Sequence, residues 1–293
     1  MQVILHLGVH CTDEDRLLKT LLRNADTWRH EGVAIPGPSR YRTLLSDTIS
    51  ALADTPPSPE AREVVLDAIL SDDPDKVDRL ILSHANFFSV PKLTFAGGYL
   101  YRWAERRLET FCDLFDQDEV EIFIGLRNPA TFIPALLADT PAHDMAVLME
   151  GADPMHLRWS DLIRRIRIIA PEVPVTIWAN EDTPFIWGEI LRRMGGVPLD
   201  RKITGAFDMF ASIISREGMQ RFRAFLAENP TINEDQKRQA MMVLLDRFAL
   251  DEVIEQELDL PGWDAAYVDM LTELYEDDLE VIAEIEDVTL IRP

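Results

Sequence analysis

Several things are scarce in this 293-residue chain, and each scarcity excludes something. No apolar run approaches the ~20 residues that a membrane helix needs. The first residues lead straight into an apolar stretch with no basic segment ahead of it, so no secretory signal is expected. Cys11 and Cys112 are the only cysteines and lie far apart in sequence, which fits a reduced, cytoplasmic setting better than a disulfide framework. Basic residues are few, 29 against 52 acids, and the formal net charge is −23. A chain so acidic repels nucleic acid, anionic membrane and polyanionic ligands at long range. There is no internal repeat and no low-complexity tract.

What is present is a large apolar fraction, 47%, enough for one large domain or a domain with a helical appendage. Val3, Ile4, Leu5 and Leu7 read as a buried first strand. Gly8 frees the backbone, and Leu17, Leu18, Leu21 and Leu22 then recur at helical spacing. Further strands are expected at Arg79–Ser83, Val120–Leu126 and Val173–Trp178, with a short edge strand in Val288–Pro293. Helices are expected near 43–52, 59–70, 99–115, 130–138, 156–169 and 181–194, with loops at 32–42, 84–98 and 139–154. Alternating strands and helices predict an α/β fold: a mostly parallel sheet covered by helices on both faces. Beyond residue 200 the strand signal fades and three helices are expected, at 207–226, 233–250 and 263–285. Residues 1–200 therefore read as an α/β domain, and residues 201–293 as an acidic helical extension packed on it. Between Asp246 and Asp287 there are sixteen acids and one base, Arg247. This is a solvated helical face or a docking surface for a basic protein partner.

The turn after the first strand carries the main contradiction. A strand, a tight loop and a helix N-terminus usually make an anion site, because free N–H groups and the helix dipole point at one spot. Yet this loop, Val9-His10-Cys11-Thr12-Asp13-Glu14-Asp15, puts three carboxylates where an anion would sit. Glu14 and Asp15 also suit a simpler role as first-turn acids, each worth about 0.3–1 kcal/mol to the helix. His6, His10, Cys11 and Asp13 are metal-ligand types, although His6 lies on the strand.

The order of motifs resembles that of the P-loop sulfotransferases that use phosphoadenosine phosphosulfate, in particular the bacterial branch with an HxGxHKTGTT opening. His6, Gly8, His10 and Thr12 match that opening; Leu82, Ser83, Asn86 and Phe87 match a strand followed by LSxENF. Leu126-Arg127-Asn128-Pro129 matches the segment that holds the donor's 3′-phosphate, and Glu181-Asp182 a later ED segment. The likeness spans roughly residues 1–196. It implies a three-layer P-loop-type fold and a sulfonate-donor site at Gly8, His10, Thr12 and Arg127.

The departures fall on the chemistry. Cys11 replaces the family lysine, a point charge on the donor phosphate and the transferring sulfonate. Asp13 replaces a glycine, removing close backbone approach and adding a negative charge. Glu14 and Asp15 replace two hydroxyl residues, Ala135 a serine, and Ala85 a glutamate that could act as base. Losing one charge-assisted contact costs about 1.5–3 kcal/mol. Micromolar affinity needs only about 8 kcal/mol in all. The expectation is a sulfotransferase-like protein with a degenerate donor loop, acting as a binding protein for a small anionic ligand or a partner, with no cofactor. The alternative is an active enzyme using phosphoadenosine phosphosulfate on a sugar or lipid hydroxyl, with His84 as a catalytic base beside Arg127. Trp103, Arg102, Arg106 and Arg107 share one predicted helix, and either bind an acidic acceptor or form an amphipathic surface. Cys11 at a helix start is a candidate thiolate that its acidic neighbours would oppose.

Overall fold

The computed structural model describes residues 1–52, 55–71, 73–141, 144–254 and 260–293. Ala142 and His143 of the loop 139–154, and acids 255, 257 and 259 of the acidic stretch, lie outside the described residues. Six strands form one parallel sheet: β1 (Gln2–His6), β2 (Val33–Ala34), β3 (Arg79–Ser83), β4 (Glu119–Leu126), β5 (Val175–Ala179) and β6 (Val288–Ile291). Their order is β2-β3-β1-β4-β5-β6. β1 is central, so both of its faces are covered and its middle, Val3–Leu5, is apolar.

Side chains alternate along the strands and sort the helices into two layers. Val3, Leu5, Leu80, Leu82, Ile122 and Ile124 face a core closed by α3 (Pro38–Ala51), α4 (Ala61–Ile69), α5 (Ala104–Leu114), α6 (Pro129–Ala138), α8 (Trp159–Ile169) and α14 (Ala265–Ala283). Ile4, Ile81 and Phe123 face the opposite core, closed by α1 (Arg16–Leu22), α2 (Ala25–Arg29) and α9 (Thr183–Gly195). The result is a three-layer α/β fold. A short α7 (Met145–Met149), capped by Asp144, breaks the expected loop 139–154. The helices α10 (Asp208–Ile213), α11 (Arg216–Glu228), α12 (Glu234–Phe248) and α13 (Asp251–Ile254) follow α9, and a small core around Phe210, Phe222 and Met241 joins α10, α11 and α12.

Three expected helices differ in extent, each for a local reason. The 207–226 helix is two: Ile214 is extended and bridges antiparallel to Ala249, and the Ser215 hydroxyl then caps α11 by accepting the Gly218 N–H. The helix expected at 43 begins at Pro38, whose fixed φ suits a first helical position. The helix expected at 99 begins only at Ala104, because Gly97, Gly98 and Tyr101 all have positive φ.

The last hundred residues complete the sheet as well as covering it. β6 pairs in parallel with β5, and α14 packs on α6 and α8. Most described acids of α14 face solvent. Asp278 does not: it is buried, and its carboxylate accepts the Ser160 N–H at 3.0 Å, closing the start of α8. Asp278→Ala should therefore cost about 1–3 kcal/mol by leaving that N–H unmet, whereas Asp277→Ala should change little. Denaturant midpoints at unchanged m-value are the measure.

Candidate functional site

The chain reverses direction across the sheet between β1 and β4: connections from β1 run toward β2 and β3, those from β4 toward β5 and β6. A crevice opens at the carboxyl ends of strands flanking such a point. The loops after β1, β3 and β4 meet there.

Gly8 leaves β1 with φ 90°, and a Cβ there would meet Ala85 Cα at 3.4 Å. The following loop satisfies itself. Asp13 Oδ2 accepts the Leu17 N–H at 2.8 Å, so a carboxylate already occupies one N–H at the start of α1. Asp15 takes both terminal nitrogens of Arg42, at 2.5 and 3.0 Å, and this pairing holds its carboxyl below the usual range. Glu14 points to solvent, 3.9 Å from Arg16. The acid on the helix start is thus Asp13, not Glu14 or Asp15. Thr12 Oγ1 donates to the Val9 carbonyl at 2.9 Å. Cys11, Glu14 and Asp15 are all left-handed, with φ 57°, 50° and 63°.

His10 is buried and enclosed. The Tyr101 hydroxyl lies 2.9 Å from its Nδ1 and accepts its backbone N–H at 3.2 Å, and Nε2 lies 3.0 Å from the Ser89 carbonyl. Nε2 therefore carries the proton and Nδ1 accepts from Tyr101. Burial lowers the His10 pKa, and the imidazole is neutral. His6 stacks on Trp178, ring centroids 5.8 Å apart, and bonds Ser83 Oγ at 2.9 Å. These two histidines lie in different environments, and among the described residues no three His, Cys, Asp or Glu side chains converge as a metal would need. Cys11 and Cys112 are free. Burial first, then Asp139, pushes the Cys11 thiol up to about 11, so it is not a thiolate at neutral pH.

Arg127 follows β4. Its guanidinium donates to the Cys11 carbonyl and, through Nε, to Thr131 Oγ1 at 3.0 Å, tying the first loop to α6. The ED segment is drawn in from the other side. Glu181 accepts the Asn128 N–H at 2.9 Å and the Tyr275 hydroxyl at 3.1 Å, which fastens α14 beneath the crevice.

Two cavities flank the loop after β3. One, of about 630 Å³, is lined by the β1 loop, Arg127, Ala135 and Asp139; it has four carboxylates, Asp13, Glu14, Asp15 and Asp139, against Arg42 and Arg127. The other, of about 690 Å³, lies between α3, α5 and the β3 loop. Arg42, His84 and Asn86 line both. His84 is buried, and its Nε2 shares a hydrogen bond of 2.9 Å with Ser46 Oγ. Burial, then the charges of Arg42 and Arg107, push its pKa down to about 4.

No family model, no curated protein and no solved structure matches the chain. Geometry alone therefore describes the site. It gathers His10, Thr12, Arg127 and His84 around the acidic cavity, while Gly8 shapes the loop from behind. Arg102 is exposed beside Gly97 and lines neither cavity, whereas Trp103, Arg106 and Arg107 line the second. Sequence reading missed Arg42, Ser46, Ser89 and Tyr101. The Arg-Tyr-Arg at 40–42 lay in a segment read as loop, and nothing local signals that Tyr101 reaches His10.

His6, His10 and His84 all have lowered folded-state pKa values. The unfolded chain therefore binds more protons below pH 6.5, and stability is fully present above that value and falls as pH drops toward 4. His84 alone accounts for about 3 kcal/mol of that loss. His84→Gln should flatten the stability curve between pH 6.5 and 4 by one proton, measured by urea unfolding across that range.

Proposed function

We propose that this chain is a non-catalytic relative of the phosphoadenosine-phosphosulfate-dependent sulfotransferases: it keeps the scaffold, has lost the sulfonate-donor site, and acts as a cytoplasmic binding protein for small molecules. The all-parallel sheet with a central first strand, and the ordered motifs at the ends of β1, β3, β4 and β5, support the kinship. One observation carries the loss of the donor site. Asp13 Oδ2 accepts the Leu17 N–H at 2.8 Å, so a carboxylate of the loop itself lies at the start of α1, where a 5′-phosphate would otherwise sit.

The other groups that the resemblance assigns to the nucleotide are engaged within the protein. His10 is held by Tyr101 and Ser89, Thr12 by Val9, and Arg127 by Cys11 and Thr131. A twice-phosphorylated nucleotide would have to break these contacts at about 1.5–3 kcal/mol for each charge-assisted one. It would also enter a cavity whose carboxylates outnumber its guanidiniums two to one. Both terms subtract from the roughly 8 kcal/mol of micromolar binding. An active transferase would need His84 as its base. That imidazole already bonds Ser46, and burial first, then two arginines, weaken its basicity.

Calorimetry with adenosine 3′,5′-bisphosphate tests this reading. No heat and no thermal shift are expected at roughly millimolar nucleotide. Binding at micromolar concentration would restore the transferase. The Cys11→Lys, Asp13→Gly double variant should gain affinity for the nucleotide if the loop alone blocks the site.

A further inference from the structure

The second cavity differs in charge from everything around it. Three arginines line it, Arg42, Arg106 and Arg107, and among the described residues no carboxylate does, in a chain of net charge −23. Arg107 is the telling one. It is half-buried, with its Nε on the Phe87 carbonyl and its guanidinium 5.6 Å from the Phe87 ring centroid. No acidic side chain pairs with it among the described residues, and burial alone lowers its pKa. A half-buried guanidinium without a counter-ion is partly desolvated, and an anion from solution offsets that cost.

A second group is also unmet. Ser89 is 9% exposed, and its Oγ has no hydrogen-bond partner. Its carbonyl is held by His10 Nε2, which fixes its backbone in the cavity wall; the Oγ has almost no exposed area, and a turn about χ1 presents it to the cavity. The rest of the lining is largely apolar, with Phe88, Leu93 and Ile49 inside and the half-exposed Trp103 at the rim. A volume of about 690 Å³ suits one drug-sized molecule.

We propose that the cavity between α3, α5 and the β3 loop binds an organic anion, whose carboxylate or sulfonate head is held by Arg107 and the Ser89 hydroxyl and whose flat apolar body lies against Phe88, Leu93 and Trp103. Arg107 supplies charge and a planar donor fork, Ser89 a neutral donor, and the apolar wall the bulk of the burial. This inference stands on the cavity's own groups. It does not need the β1 loop to be closed, and a chain that bound the nucleotide could bind the anion as well.

Titration with four naphthalene probes, followed by calorimetry and by Trp103 fluorescence against a Trp103→Phe control, tests it. 2-Naphthoate and 2-naphthalenesulfonate should bind at micromolar to sub-millimolar concentration. 2-Naphthol should bind at least about tenfold more weakly, and 2-naphthylmethylamine not at all. Arg107→Met should weaken the naphthoate by about ten- to a hundredfold and abolish its preference over naphthol. Ser89→Ala removes an unmet buried hydroxyl, so it should keep the fold intact while weakening the anions a few-fold. Naphthol binding as tightly as naphthoate would overturn the proposal. So would the absence of anion binding at roughly millimolar probe, or anion affinity unchanged in both variants. Should Arg107→Met fail to fold, the probe selectivity and Ser89→Ala decide. Because adenosine 3′,5′-bisphosphate reports the β1 loop and the naphthalenes report this cavity, the two readings fail separately.

Discussion

The crevice depends on a carboxylate of the β1 loop meeting a backbone N–H at the start of α1. Asp13 on the Leu17 N–H closes α1, and the bidentate Asp15–Arg42 pair anchors the loop to α3. Arg42 then reaches across and gives its Nε to the Ser83 carbonyl, so β1, α3 and the end of β3 share one guanidinium. In a chain this acidic, local compensation of that kind decides whether loops hold their shape, because long-range repulsion favours expansion. The loop meets its helix start with an anion of its own, in exchange for a strained conformation.

That exchange has a backbone cost. Three non-glycine residues in this loop are left-handed, each at about 1–2 kcal/mol against a relaxed conformation. Tyr101 is left-handed as well, at φ 48°, and its hydroxyl is the one that fixes His10. Strain of this sort persists only where surrounding contacts over-determine the geometry. Here Arg127 binds the Cys11 carbonyl, Arg42 binds Asp15, and Tyr101 binds His10, so each strained stretch carries or neighbours a polar contact that holds it. The crevice is therefore preformed.

The sheet was largely legible in the sequence because its strands are short apolar runs with clear breaks. Val120–Leu126 could hardly be anything but a covered strand, and Arg79–Ser83 lay within its predicted bounds. β2 is only two residues long and its segment read as a loop or short extended stretch, since two residues carry no period. Helix starts were less legible: Ser215 breaks a helical pattern through a side-chain cap, and Tyr101 delays one through a contact made ninety-one positions away. The site was half legible. Loop chemistry flagged the carboxylates, but which of them meets the helix and which meets Arg42 is a matter of loop conformation, and conformation at positive φ is not written in residue type for Cys11, Glu14 or Tyr101.

The two cavities together say more than either alone. They share Arg42, His84 and Asn86, yet carboxylates dominate one and arginines the other. Field lines from the acidic loop end on Arg42, which is why that residue belongs to both sides. His84 lies beside it with a lowered pKa, so the wall between the cavities carries one positive charge, not two, at neutral pH. A second charge there would draw an anion toward the wall and toward the carboxylates beyond it. With His84 neutral and Arg42 neutralised by Asp15, the attraction left for an anion is concentrated on the α5 side of the second cavity, at Arg107. The carboxylates gather at one cavity and leave the neighbouring one as the place where a chain of negative charge presents guanidiniums to a negative ligand.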